Sequence, residues 1–95
     1  MPGGRKDHVG KTRWALLPWE ETELVVKVLM HGAKEYGDEN WKEVDNAKVL
    51  YFEALMRHLT KRLRGERTDE KSHLPHMAHV IANAYFLLWF DNTRK

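Results

Sequence analysis

Two glycines, Gly37 and Gly65, divide this chain into three segments, and in each one apolar residues recur three and four positions apart. That spacing returns once per helical turn, so each segment carries an apolar face that must be buried against another. Pro18, with Glu20, Glu21 and Glu23 behind it, marks a helix start, because proline is pre-set for the first turn and acids there face the positive end of the helix dipole. A helix over about 18–34 follows, with Leu24, Val25, Val28 and Leu29 as its stripe and Gly37 as its end. A second helix is expected from Asp45 or Asn46, either of which can cap it. Phe52, Leu55, Met56, Leu59 and Leu63 form its stripe up to Gly65. The third takes Ser72 as cap and Pro75 in its first turn, and buries Leu74, Met77, Ala78, Ile81, Ala82, Tyr85 and Leu88. Residues 37–45 read as a loop anchored by Trp41, residues 1–13 as a loose basic arm, Trp14 to Leu17 as an apolar segment docked on the domain, and 91–95 as a frayed tail. No strand pattern or repeat is present. The expected fold is all-α: one domain, a small bundle of three main helices with an N-terminal arm.

A chain of 95 residues with a 42% hydrophobic share builds one core of limited stability. Four tryptophans are more than one small bundle comfortably covers, which predicts completion by homo-oligomerisation. The absence of cysteine rules out thiolate chemistry and suits a reducing cytoplasm. No apolar run approaches the ~18 residues of a membrane span, and the opening Met1-Pro2-Gly3-Gly4 does not read as a signal peptide, so no membrane partner is expected. Net charge is only +2, but the bases cluster: Arg5, Lys6, Lys11 and Arg13 in the arm, and Lys61, Arg62, Arg64 and Arg67 around Gly65. Such clusters read either as solvated faces or as contacts for a phosphate-rich ligand. The third helix is apolar and histidine-bearing, with no short turn and no basic recognition face, so DNA reading is not expected.

Chemistry concentrates on both sides of Gly65. His76, His79 and Asn83 stand at i, i+3 and i+7, on one helical face beside the apolar stripe. Two imidazoles so spaced can share a metal or a phosphate, although His-x-x-His also occurs on ordinary helices. Glu53 and Arg57 stand at i, i+4. The ordinary reading is a helical salt bridge; the functional one is a metal-ligating carboxylate beside an arginine that grips phosphate. His58 points about 100° away from Arg57. Glu66 and Asp69 follow the Gly65 break, either as turn acids or as oxygen ligands for Mg²⁺ or Mn²⁺. No phosphate-binding glycine loop, nucleophile elbow or zinc-cysteine cluster is found.

Five ordered stretches resemble a known family. They are Lys11 to Pro18; Gly32-Ala33-Lys34-Glu35-Tyr36-Gly37 with Asn40-Trp41; Tyr51, Ala54, Arg57 and His58; Gly65-Glu66 with Asp69; and His76, Ala78 and His79. Together they resemble the dATP/dGTP diphosphohydrolase (N-terminal domain) family of phages and prophages, similar to the all-α NTP pyrophosphohydrolases of the MazG type. The resemblance runs from about Arg5 to Phe90. It implies an oligomeric all-helical nucleotide protein and metal-assisted attack of water on a dNTP, releasing the monophosphate and pyrophosphate. It departs from the family pattern at Lys71, where an acid is usual, and at His73, where glycine is.

Two functions follow as expectations. In the first, a dNTP pyrophosphohydrolase, Glu53, Glu66 and Asp69 hold Mg²⁺ or Mn²⁺ and His76 or His79 acts as ligand or base. Lys11, Arg13, Lys34, Arg57, His58, Lys71 and Asn83 contact the nucleotide, and Tyr36 or Trp41 stacks on the base. In the second, the same cage captures cyclic oligonucleotide messengers without turnover and without a cofactor, countering host defence. In both the ligand is a nucleotide and the setting is the host cytoplasm.

Overall fold

The computed structural model describes residue 7 and residues 9–93. Arg5 and Lys6 of the expected basic arm, and the last two residues of the expected tail, lie outside the described residues. Three helices dominate: α1 (Trp19–Tyr36), α2 (Ala47–Leu63) and α3 (His76–Thr93), with single 3₁₀ turns at Trp14–Leu16 and Asn40–Lys42. Among the described residues the one β feature is an isolated bridge between Thr68 and Pro75. The expected all-α bundle is therefore the observed architecture.

Helix ends follow the expected logic in part. Gly37 closes α1 with φ of 100° and donates its N–H to Ala33 O. Gly65, with φ of 103°, stands two residues beyond the end of α2. Such values are free only for a residue without a Cβ. Asn46 does precede α2, but it adopts a left-handed φ of 59° and its side chain makes no capping bond. Pro75 lies just before α3 rather than within it, and its carbonyl accepts from Ala78 N and His79 N. Ser72 is not the cap, because its hydroxyl is committed elsewhere. The expected frayed tail is also corrected: α3 continues to Thr93.

Helix α3 is central and packs along α2 and against α1. The molecule is 54 × 36 × 24 Å, so its thinnest direction is about two helix diameters. The apolar core is small: Val25 and Val28 of α1 meet Ala78 and Ala82 of α3, flanked by Leu24, Leu29 and Leu74. Small alanines let α1 approach closely at this crossing. An aromatic cluster closes the other end. Trp41 stacks on Phe86 with centroids 4.7 Å apart and meets Trp89 edge-on at 5.1 Å. Tyr51 lies 4.8 Å from Phe86 and donates its hydroxyl to Trp41 O at 2.8 Å. The anchor role of Trp41 thus has a physical basis: it ties the loop after α1 to both α2 and α3.

The expected stripes are only partly buried. Phe52, Met56 and Leu63 on α2 are exposed, as are Met77, Ile81, Tyr85 and Leu88 on α3. Trp14 and Leu16 are also mostly exposed, so this segment is not docked within the chain. On α3 the buried face carries the expected Ala78 and Ala82, joined by His76, His79 and Asn83. The imidazoles, expected beside the buried stripe, are on it.

Candidate functional site

The connection between α2 and α3 folds back on itself. Asp69 N donates to Leu74 O and His76 N to Arg67 O, both at 2.8 Å, on either side of the Thr68–Pro75 bridge. His73 sits in this turn with φ of 62°, a conformation that only a residue without a Cβ takes without cost. The fold-back places Glu66 and Asp69 beside the first two turns of α3, opposite His58 on α2.

Seven polar side chains then lock together. His76 is fully buried; its Nε2 donates to Glu66 Oε2 at 2.7 Å, since a carboxylate only accepts. Its Nδ1 lies 2.8 Å from His58 Nδ1, so one of these nitrogens carries the proton and the other accepts it. With a single proton on each ring, His76 Nδ1 is the bare acceptor and His58 Nδ1–H the donor, which leaves His58 Nε2 with a free lone pair. The His58 ring stacks on His79 at 4.2 Å with the planes 7° apart. Ser72 Oγ accepts from Leu74 N at 3.2 Å and turns its proton to His79 Nε2 at 2.7 Å. Ser72 N donates to Asp69 Oδ2 at 2.8 Å. His79 Nε2 lies 3.9 Å from the same oxygen. Asn83 Nδ2 donates to His79 O, one turn back.

Burial sets the electrostatics. The pKa of His58 is pulled down to about 4, first by desolvation and then by neighbouring His79. His79 is also lowered, mainly by desolvation, against the opposing pull of Asp69. Partial burial works to raise Asp69, but hydrogen bonds from Ser72 and the neighbouring imidazoles outweigh it and hold the carboxyl below its ordinary value. At neutral pH the cluster is thus two neutral imidazoles facing one carboxylate.

His58, Asp69 and His79 form one wall of a cavity of about 720 Å³, within the roughly 300–1,000 Å³ range of small-molecule sites. Arg57, Lys71 and Asn83 add polar groups, and Trp41, Tyr51 and Phe86 give an aromatic wall. Tyr36, 65% exposed, stands at its edge. His58, Asp69 and His79 each offer a donor atom within 4.8 Å of the others, which fits a single divalent ion.

The remaining expected site residues lie elsewhere. Glu53 is exposed and does not line the cavity, and it makes no ion pair with Arg57, so the helical salt bridge expected between them is absent. Glu66 and His76 stand behind His58 rather than on the cavity wall. Lys34, Lys11 and Arg13 are exposed and off the lining. Lys71 Nζ lies 3.5 Å from Glu35 Oε2, tying the inter-helix turn to α1 across the cavity. Sequence reasoning missed His31 and Glu35, both of which line it. Their signal was present: they follow Val28 at i+3 and i+7, on the inward face of α1.

Fold and site define an all-α domain with a histidine-rich, cation-bearing cavity between its helices. The family model for the dATP/dGTP diphosphohydrolase N-terminal domain matches residues 1–95, and the chain belongs to that family. A dATP/dGTP diphosphohydrolase of Salmonella phage PMBT28 is 31% identical over 91 residues, covering 96% of this chain. The chain spans about a third of that relative's length (31%). No solved structure matches.

Proposed function

We propose that the cavity binds a purine deoxynucleoside triphosphate by its phosphates and that, with a divalent cation, the chain supports hydrolysis to the monophosphate and pyrophosphate. The observation that carries this reading is the cavity itself: Arg57 and Lys71 beside Asp69, His58 and His79, with an aromatic wall for the base. The family supports a nucleotide as the ligand. Among the described residues Arg57 has no competing ion pair, so its planar guanidinium is available to a phosphate in bidentate contact. Lys71 adds a point charge at the rim, shared with Glu35. A cation held by Asp69 and the two imidazoles would polarise a phosphoryl oxygen or lower the pKa of an attacking water. His76 acts through His58 and holds its ring in place.

One observation favours a second reading. Glu53 is outside the cavity and Glu66 is committed to His76, so Asp69 is the only one of the three expected acids on the lining. Glu35 is paired with Lys71 and Asp38 is exposed, so among the described residues Asp69 is the one lining acid grouped with the imidazoles, and a single carboxylate holds Mg²⁺ weakly while Arg57 and Lys71 attract anions. In this reading the chain captures nucleotides, including cyclic oligonucleotides, without turnover and acts against host defence. Both readings place it in the host cytoplasm as an oligomer of MazG-like helical units. The exposed stripes of α2 and α3 and the exposed Trp14 and Trp19 support oligomerisation. So does a radius of gyration of 17.0 Å, against about 12 Å for a compact chain of this length.

The test is incubation with a panel of dNTPs and cyclic dinucleotides, with Mn²⁺ or with chelator, reading both product and recovered ligand. Metal-dependent pyrophosphate release supports the hydrolase. Intact ligand, bound equally well in chelator, supports capture. In that case Lys71→Glu, which restores an acid at this rim position, is expected to make binding metal-dependent.

A further inference from the structure

The polar network around α3 treats its members unequally. His58, Asp69 and His79 face the cavity, while His76 stands behind them bonded to His58, and Glu66 stands behind His76. This is the layout of a metal centre with outer partners. Ligating histidines usually give their second nitrogen to a carboxylate or another acceptor, which sets the tautomer and leaves the other nitrogen bare. The line Glu66 to His76 to His58 does so through one additional ring. Each proton in it is assigned by its neighbour, and the last vacant lone pair is His58 Nε2.

We propose that His58, Asp69 and His79 form a two-histidine, one-carboxylate centre selective for a first-row transition ion such as Zn²⁺ or Co²⁺ over Mg²⁺, with Glu66 and His76 as its positioning residues. Four distances support the assignment. The donor atoms lie within 4.8 Å of one another, and a tetrahedral ion with ligands at ~2.1 Å needs them about 3.4 Å apart, so contraction together with rotation of the His79 ring out of its stack on His58 completes the site. The 3.9 Å between His79 Nε2 and Asp69 Oδ2 is too long for a hydrogen bond, yet two ligands of one ion can span it. The 2.8 Å and 2.7 Å links behind His58 fix its ring before any ion arrives, which lowers the ordering cost of binding. Ser72 Oγ, the present partner of His79 Nε2, is a single rotor that can turn its proton away when that nitrogen is taken. The donor set decides the ion. Imidazole suits zinc, iron, nickel and copper, whereas Mg²⁺ demands an octahedron of oxygens. Three protein ligands leave a further position open toward Arg57 and Lys71, where a phosphate oxygen or water can enter.

The inference rests on the metal-assisted reading of the same cavity, and its test separates the two. The probe is the ion alone, titrated into the metal-stripped chain by calorimetry, with Co²⁺ visible absorption as an independent readout. One Zn²⁺ or Co²⁺ per chain is expected, with an intense Co²⁺ d–d band and no saturable Mg²⁺ heat in the same range. Asp69→Asn and His79→Gln, which keep shape, are expected to lose the band while the helical dichroism remains. Glu66→Gln is expected to weaken Zn²⁺ binding about 10- to 100-fold without removing it. Absence of stoichiometric Zn²⁺ binding, equal binding of Mg²⁺, or Zn²⁺ affinity unchanged in Asp69→Asn and His79→Gln overturns the proposal. Thermal stabilisation by dATP in chelator, measured separately, reports on nucleotide binding whatever the metal result.

Discussion

Lowering the pH from 7 to 5 should destabilise this fold through His58. The group ionises near pH 4 in the folded chain and near 6.5 when unfolded, so between these values the unfolded chain holds a proton that the folded one excludes. Stability from this source is complete above about pH 6.5 and is lost as the pH falls toward 4. A separation of about 2.5 pH units corresponds to roughly 3.4 kcal/mol in full, of which about 2 kcal/mol is gone by pH 5. His58 is only partly buried, so solvent screening takes about half, leaving a loss near 1 kcal/mol. That is about 4–8 °C in Tm for a domain of this size. His79 shifts in the same direction and adds to the loss, whereas the lowered Asp69 matters only below the ordinary carboxylate range. The assay is urea unfolding at pH 7 and pH 5, at one protein concentration, for the natural chain and for His58→Gln. The variant should be less stable at pH 7 and lose clearly less on acidification. If the natural chain is equally stable at both pH values, or the variant loses as much, burial of a neutral His58 is not what the network rests on.

Arg57→Ala is expected to weaken dATP binding by roughly 10- to 150-fold, the worth of a charge-assisted phosphate contact, with helical dichroism unchanged because no ion pair to Glu53 is lost. An unaltered Kd removes Arg57 from the site. Trp41→Ala should cost about 3 kcal/mol or more in chemical unfolding, because it empties the centre of the cluster with Phe86 and Trp89. A cost under 1 kcal/mol would mean that the loop is not anchored there. Light scattering at micromolar concentration should give at least a dimer mass, since a monomer leaves Phe52, Met56, Ile81 and Leu88 in water. A monomeric mass would count against oligomerisation.

Helix number, helix type and the breaks at Gly37 and Gly65 were legible in the sequence, because they depend on local terms: the 3.6-residue period and the residues that tolerate positive φ. The anchor at Trp41 was legible for a similar reason, as a large aromatic in an otherwise polar loop has little else to do. The grouping of Asp69 with His79 was half-visible, through motif order and the short link across Gly65. Periodicity alone did not decide which side of each helix faces inward. It assigned Met77, Ile81, Tyr85 and Leu88 to the core of α3 together with Ala78 and Ala82, whereas packing buries only the two alanines of these, with His76, His79 and Asn83. An apolar stripe says only that a face seeks cover. Which of two candidate faces meets α1 and α2 depends on where small residues allow close approach and on whether buried imidazoles find partners. Here Glu66, His58 and Ser72 supply those partners from outside α3, and no helical period encodes such contacts. The same reason separates Glu53 from the site and brings His31 and Glu35 to it. Composition and spacing announced a helical protein with histidine and carboxylate chemistry near Gly65; only the fold-back of residues 66–75 onto α3 decided which of those groups share one cavity.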